Sequence, residues 1–183
     1  MNVTVFGGAY PTPGQPEYQQ AMRLGQLLAQ AGHTVLTGGY MGTMEAVSRG
    51  AVEAGGHTIG ITCEEIERWR SSLANPWVQE EWKLATLTER LVSLMDSAGA
   101  LIALPGGPGT LTEISLAWNR LLVESLSPRP LIVIGEAWRL LFEQFFRTQE
   151  SYISASARSM LIFAATVEEA AEKLAQTSFA SSQ

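Results

Sequence analysis

Short apolar runs alternate with longer amphipathic stretches along most of the chain. The runs predict strands, and they cover residues 2–6, 33–37, 58–61, 100–104, 131–134 and 161–164. Helices are predicted over 16–31, 43–54, 88–97 and 110–123, and after each of the last two strands. Strands that alternate with helices are typical of an α/β fold with a parallel sheet.

One stretch, residues 62–83, departs from this pattern. It is rich in Glu and Arg and contains three tryptophans, so we interpret it as an irregular lid or a partner surface. The remaining pattern predicts a single domain over residues 1–176. Residues 177–183 are small and polar, and we expect a flexible tail there.

The composition favours a globular protein and excludes several classes. The 183 residues suit one domain, 46% are hydrophobic, and the net charge of −6 argues against binding to nucleic acid. No apolar run approaches the ~20 residues of a membrane span. The first basic residue is Arg23, so we expect no secretory signal. Cys63 is the single cysteine, and a cytoplasmic location without disulfides or zinc is predicted.

The motifs of two large classes of cofactor and nucleotide enzymes are missing. The chain has no Gly-Lys-Ser/Thr, and its only lysines, Lys83 and Lys173, are poorly placed for a Schiff base. No Gly-x-Gly-x-x-Gly follows the first strand, and Thr37 stands where a dinucleotide site needs an acid. A mononucleotide is therefore the favoured ligand, with no cofactor and no metal.

Glycine-rich loops follow three of the predicted strands, where parallel sheets bind ligands. Two of them, residues 38–42 and 105–109, lead directly into helices, whose free N–H groups attract anions. These loops predict a site for a phosphate-bearing ligand. Ordinary strand-to-helix turns remain the alternative.

Two charged residues are candidates for chemistry. Glu113 either forms a capping box with Thr110 or stabilises positive charge on a sugar carbon. Arg90 borders the apolar face of its helix, so it either has a buried partner or ligand or extends to solvent. A structural role is favoured for His33 and His57, as it is for Cys63 and Trp118.

The chain resembles the LOG family, also known as "lysine decarboxylase-like" proteins. The family motif Pro-Gly-Gly-x-Gly-Thr-x-x-Glu is complete at residues 105–113, and the earlier glycine motif matches residues 37–46. The family arginine falls at Arg90. Leu91 replaces the lysine that usually follows it, and Thr112 replaces the first acid of the usual Glu-Glu pair.

The resemblance implies a Rossmann-like fold, that is, a three-layer, doubly wound, mainly parallel sheet with helices on both faces. It also implies a homodimer that hydrolyses the N-glycosidic bond of a purine or cytokinin nucleoside 5′-monophosphate, such as AMP, to free base and ribose 5-phosphate. Other relatives are non-catalytic carriers of nucleotides or molybdenum cofactor, which leaves a carrier as the alternative.

The predicted site combines the family motifs with the glycine loops. Arg90 and Glu113 are the predicted catalytic residues. The predicted phosphate-binding residues are Gly38, Gly39, Gly42, Thr43, Gly106, Gly107, Gly109 and Thr110.

Overall fold

The computed structural model describes residues 1–70 and 72–180, and within them strands and helices alternate. The strands are β1 (Asn2–Phe6), β2 (Thr34–Thr37), β3 (Thr58–Cys63), β4 (Glu80–Leu84), β5 (Ala100–Ala103), β6 (Leu131–Ile134) and β7 (Leu161–Ala164). The helices are α1 (Pro16–Gln30), α2 (Thr43–Glu53), α3 (Glu64–Arg70), α4 (Leu87–Asp96), α5 (Pro108–Leu122), α6 (Glu136–Thr148), α7 (Ala155–Ser159) and α8 (Val167–Ala180). A 3₁₀ turn, Glu150–Tyr152, follows α6.

The strands of the described chain form one parallel sheet in the order β4-β3-β2-β1-β5-β6-β7. β1 lies at its centre, where Val3 pairs with Val35 of β2 on one side and with Ala100 of β5 on the other. The chain therefore winds outward from β1 in both directions. This topology confirms the predicted doubly wound, Rossmann-like fold.

Two hydrophobic layers enclose the sheet, as a fold with helices on both faces requires. One layer packs α1, α2 and α8 on the sheet, with Tyr18, Leu24 and Leu174 fully buried. The other packs α4, α5 and α6, with Leu94 and Ile114 at its centre. The site helices α4 and α5 thus lie on the same face.

The prediction of an irregular stretch at residues 62–83 was wrong in two places. β3 continues to Cys63 and leads directly into α3, and Glu80–Leu84 forms the edge strand β4. β4 lies at one edge of the sheet and carries exposed charges in place of an apolar run, a common feature of edge strands. Its sequence therefore lacks the signal that identified the central strands.

The last helix, α8, reaches into the segment for which a flexible tail was predicted. α8 continues through residues 177–180, which the sequence analysis assigned to a flexible tail. The rest of that predicted tail, residues 181–183, lies outside the described residues.

Candidate functional site

The sheet has its topological switch point between β1 and β5, because the chain leaves these neighbours in opposite directions. The loops that follow the two strands meet there, and the N–H of Gly8 donates to the carbonyl of Pro105 at 3.2 Å. A cavity of about 420 Å³ opens at this junction, bordered by the glycine loops at Thr43, Gly106 and Gly107. Open α/β sheets bind ligands at this position.

The loop at residues 38–42 is held tightly against the loop after β1. Gly42 has a φ of +79°, and a Cβ there would lie 2.5 Å from the backbone of Ala9, so only glycine fits. The N–H and the hydroxyl of Thr43 both donate to the carbonyl of Gly8, at 2.9 and 3.0 Å. Thr43 therefore lines the cavity, but the two donors that were predicted to bind phosphate join the two loops in this structure.

The loop at residues 105–109 is exposed and opens α5. Gly107 is the N-cap, and no side chain caps the helix. The N–H groups of Gly109 and Thr110 belong to the first turn, where a helix offers no i−4 carbonyl. A Cβ on Gly107 or Gly109 would meet nothing within 4 Å. Packing therefore does not require glycine at these two positions, and the space beside them is open to a ligand.

Arg90 is buried and bonded to backbone, which rules out the solvent-exposed alternative. Its side chain is 5% exposed, Nε donates to the carbonyl of Ile61 at 2.7 Å, and Nη2 donates to the carbonyl of Gly38 at 3.1 Å. A Cβ on Gly38 would overlap Nη2, so glycine at this position makes room for the guanidinium. Gly38 thus both bonds the Arg90 guanidinium and leaves space for it.

Glu113 does not form the capping box that its spacing from Thr110 suggested. α5 begins at Pro108, two residues before Thr110, so both residues lie inside the helix. A complete capping box does occur at the start of α4, where Thr86 and Glu89 bond reciprocally. The carboxylate of Glu113 is buried instead, and the described residues offer it no hydrogen bond.

The two predicted catalytic residues face each other between the glycine loops. Arg90 Nη1 lies 4.0 Å from Glu113 Oε1, which is an ion pair without a hydrogen bond. Burial raises the pKa of Glu113 to about 7, although the charge of Arg90 acts to lower it. A buried carboxyl group whose pKa is shifted to near neutral is typical of functional sites.

The other residues singled out in the sequence have structural environments. The indole of Trp118 donates to the carbonyl of Ala157 at 2.8 Å and contacts the rings of α6. Cys63 is buried at the end of β3. Thr112, at a position that departs from the LOG motif, returns its hydroxyl to the carbonyl of Pro108.

Two residues of the site escaped the sequence analysis. Tyr40 is buried, with its ring beneath the Arg90 guanidinium, and Asn75 bonds the carbonyls of Gly39 and Tyr40. Asn75 precedes Pro76, a pair that signals a turn and no chemistry. The contacts of Tyr40 and Asn75 join segments that are far apart in the sequence, so no local pattern indicates them.

The described residues contain no cluster of three or more His, Cys, Asp or Glu side chains able to hold a metal ion. Among the same residues, no helix has the length and apolar character that crossing a membrane requires.

Comparison with known proteins agrees with the fold and the motifs. A family model described as the SLOG cluster4 family matches residues 1–170. The chain belongs to this family. The chain is 31% identical over 175 residues to a rice (Oryza sativa subsp. japonica) protein named "Probable cytokinin riboside 5'-monophosphate phosphoribohydrolase LOGL6". The match covers 94% of this chain and 69% of the rice protein. Cytokinin riboside 5'-monophosphate phosphoribohydrolase LOG3 of Arabidopsis thaliana is 30% identical over 175 residues, covering 94% and 80%.

Solved structures of the same fold include carriers. The molybdenum cofactor binding protein of Rippkaea orientalis matches with a TM-score of 0.75 and 27% identity, covering 96% of each chain. The molybdenum cofactor carrier protein of Chlamydomonas reinhardtii matches with a TM-score of 0.71 and 25% identity, again covering 96% of each chain.

Proposed function

We propose that this SLOG cluster4 protein is a phosphoribohydrolase that cleaves the N-glycosidic bond of a purine nucleoside 5′-monophosphate. Relatives at about 30% identity carry the name of this activity. The observation that carries the proposal is the buried pair of Glu113 and Arg90: Arg90 bonds the carbonyl of Gly38 in one glycine loop, and Glu113 lies on α5, which the other glycine loop opens.

In the proposed reaction, water adds to C1′ of the ribose as the bond from C1′ to the base breaks. The 5′-phosphate binds the N–H groups of Gly107, Gly109 and Thr110 at the start of α5, where Pro108 has no N–H to offer. The ionised Glu113 carboxylate stabilises the oxocarbenium-like sugar and orients the attacking water. The water gives one proton to the departing base, so the products are free base and ribose 5-phosphate.

In this proposal the positive charge of Arg90 acts on both Glu113 and the substrate. Its two backbone bonds fix the guanidinium, and Nη1 remains directed at Glu113. The positive charge favours the ionised form of Glu113 and attracts the substrate anion. No residue of this scheme needs a metal ion.

The experiment is an assay for free base. The purified protein is incubated with AMP and, separately, with isopentenyl-AMP at pH 8, and base and ribose 5-phosphate are quantified by chromatography. Equal amounts of base and ribose 5-phosphate are expected from at least one substrate. No base from either substrate, with a protein shown to be folded, would refute the proposal.

A second candidate is a carrier that binds a phosphorylated ligand without cleaving it. The likeness to two molybdenum cofactor proteins at 25–27% identity favours it. A thermal-shift panel of nucleotides and molybdopterin, followed by native mass spectrometry, separates the two candidates. A carrier would return its ligand intact, whereas a hydrolase would return ribose 5-phosphate.

We also propose that the protein is a cytoplasmic homodimer. A groove of about 920 Å³ runs between α5 and α6, and the exposed apolar residues Leu122, Leu141 and Phe145 line it. None of the described residues that line this groove is charged, so two copies can meet face to face across a two-fold axis without like charges opposing each other.

A further inference from the structure

Tyr40 occupies an unusual position in the loop at residues 38–42. Its side chain is 2% exposed, and its hydroxyl bonds both backbone groups of one residue. The hydroxyl donates to the carbonyl of Cys63 at 3.0 Å and accepts from the N–H of Cys63 at 2.9 Å. A buried tyrosine usually finds one hydrogen-bond partner; here both its donor and its acceptor are matched.

These bonds join the two segments that hold Arg90. Gly38, whose carbonyl accepts from Nη2, is two residues before Tyr40. Ile61, whose carbonyl accepts from Nε, is two residues before Cys63. The Tyr40–Cys63 link therefore sets the separation of the two carbonyls between which the guanidinium is held.

The ring of Tyr40 adds a direct contact with Arg90. The guanidinium carbon lies 5.5 Å from the ring centroid, within the range of a cation–π interaction. Together with the two carbonyls, the ring restricts how the guanidinium can move in the space that Gly38 leaves for it. In this position Nη1 lies 4.0 Å from Glu113 Oε1.

The same loop is tethered from its other side by Asn75. The Nδ2 of Asn75 donates to the carbonyls of Gly39 and Tyr40 at 3.0 and 2.9 Å, and its N–H donates to Gly39. The loop is thus fixed from both sides by contacts within the protein. Such preorganisation is what an electrostatic site requires.

We propose that Tyr40 is a positioning residue that locks loop 38–42 to the end of β3 and thereby holds Arg90 against Glu113. Its consequence for catalysis rests on the function proposed above, whereas its effect on Arg90 and Glu113 does not.

The charged and titratable groups facing Tyr40 are Arg90 from α4, Cys63 from β3 and Glu67 from α3. Burial raises the pKa of the Tyr40 hydroxyl above its ordinary value, so it remains protonated and keeps its donor. The charge that acts on the pKa of Glu113 is that of the Arg90 guanidinium, which lowers it. If Arg90 moves away from Glu113, this lowering is lost, and the pKa of Glu113 therefore rises further.

The test replaces Tyr40 by Phe, which keeps the ring and removes only the hydroxyl. The matched control is Tyr18→Phe, because Tyr18 is also fully buried but donates to Glu45 on α2. The pKa of Glu113 is measured by ¹³C NMR of labelled glutamate, with the signal assigned from Glu113→Gln. The pH profile of kcat/KM with the nucleotide substrate is recorded in parallel.

In Tyr40→Phe we expect the pKa of Glu113 to rise by at least about half a unit, a threefold change in its ionisation constant. The acidic limb of kcat/KM is expected to move with it, and Tyr18→Phe is expected to match the wild type. An unchanged Glu113 pKa and profile in Tyr40→Phe would overturn the proposal.

The two proposals fail in different ways. If the wild type releases no base, the proposed function fails, and the Glu113 pKa alone decides the role of Tyr40. If Tyr40→Phe does not fold, Asn75→Ala loosens the same loop from its other side and is expected to raise the Glu113 pKa in the same direction. An unchanged pKa in that variant would then overturn the positioning role.

Discussion

The proposed role of Glu113 predicts how activity depends on pH. Burial raises its pKa from about 4.5 to about 7, and only the ionised carboxylate stabilises a positive sugar. We therefore expect kcat/KM to be constant above pH 8 and to fall roughly tenfold per pH unit below about pH 6, since it reports ionisation of the free enzyme. A profile that is flat from pH 5 to pH 8 would contradict this assignment.

The same shift predicts how stability depends on pH. Because the folded-state pKa is raised, Glu113 favours the folded state most below its unfolded value and loses this contribution as pH rises through 7. Glu113→Gln removes this dependence. Between pH 5 and pH 8, we expect the variant to gain stability relative to wild type by at most roughly 3 kcal/mol, measured by urea unfolding. A difference that is independent of pH would show that Glu113 is not buried as described.

Gly38 has no side chain, and this leaves the space that the Arg90 guanidinium occupies. A Cβ there overlaps Arg90 Nη2, so Gly38→Ala displaces the guanidinium from Glu113. We expect base release to fall by at least about tenfold, in line with the loss of one electrostatic group. The control is Gly99→Ala at the other end of the sheet, where the nearest atom to the new Cβ is the flexible Met1 Sδ at 3.2 Å. Equal activity of the two variants would contradict the role of Gly38.

At the scale of elements, the start of α5 distinguishes a ligand loop from an ordinary turn. Gly109 lies inside the helix, and a Cβ there would have no atom of the described residues within 4 Å. Gly109→Ala should therefore stabilise the fold by up to about 1 kcal/mol through helix propensity. If the loop binds phosphate, KM should rise in the same variant because the methyl group occupies ligand space. Higher stability with an unchanged KM would indicate an ordinary turn.

The elements differ in how far the sequence predicts them. Central strands such as β1 and β5 are buried on both faces, so they appear as apolar runs, and the glycines after them mark their ends. β4 is paired on one edge only and carries Glu80, Glu81 and Lys83, so no comparable signal exists. The other edge strand, β7, is an apolar run and was predicted, so it is the charged sequence of β4, and not its edge position alone, that removes the signal.

The site was predictable only where a local sequence pattern marks its residues. The motif at residues 105–113 and the border position of Arg90 identified the two charged residues. The same spacing also suited a capping box at Glu113, and only the start of α5 at Pro108 excludes it. The contacts of Arg90 with Ile61 and Gly38 join segments far apart in sequence, which no local pattern encodes.

At the scale of the whole molecule, the exposed groove between α5 and α6 predicts self-association. Phe145 is 43% exposed in the groove, so Phe145→Asp would place a charge against its own symmetry mate. We expect the wild type to be a dimer at micromolar concentration by light scattering, and the variant to be a folded monomer. The control Leu140→Asp changes an exposed apolar residue of the same helix that does not line the groove. A monomeric wild type would refute the homodimer.

The central claim, that Glu113 is catalytic, is tested most directly by turnover of the nucleotide in Glu113→Gln. The matched control is Glu136→Gln, because Glu136 is an exposed carboxylate in the first turn of α6 that pairs with Arg139. We predict that base release falls by roughly 10²–10⁴-fold in Glu113→Gln, while ligand affinity is retained and Glu136→Gln matches the wild type. Turnover near the wild-type level in Glu113→Gln would contradict the account.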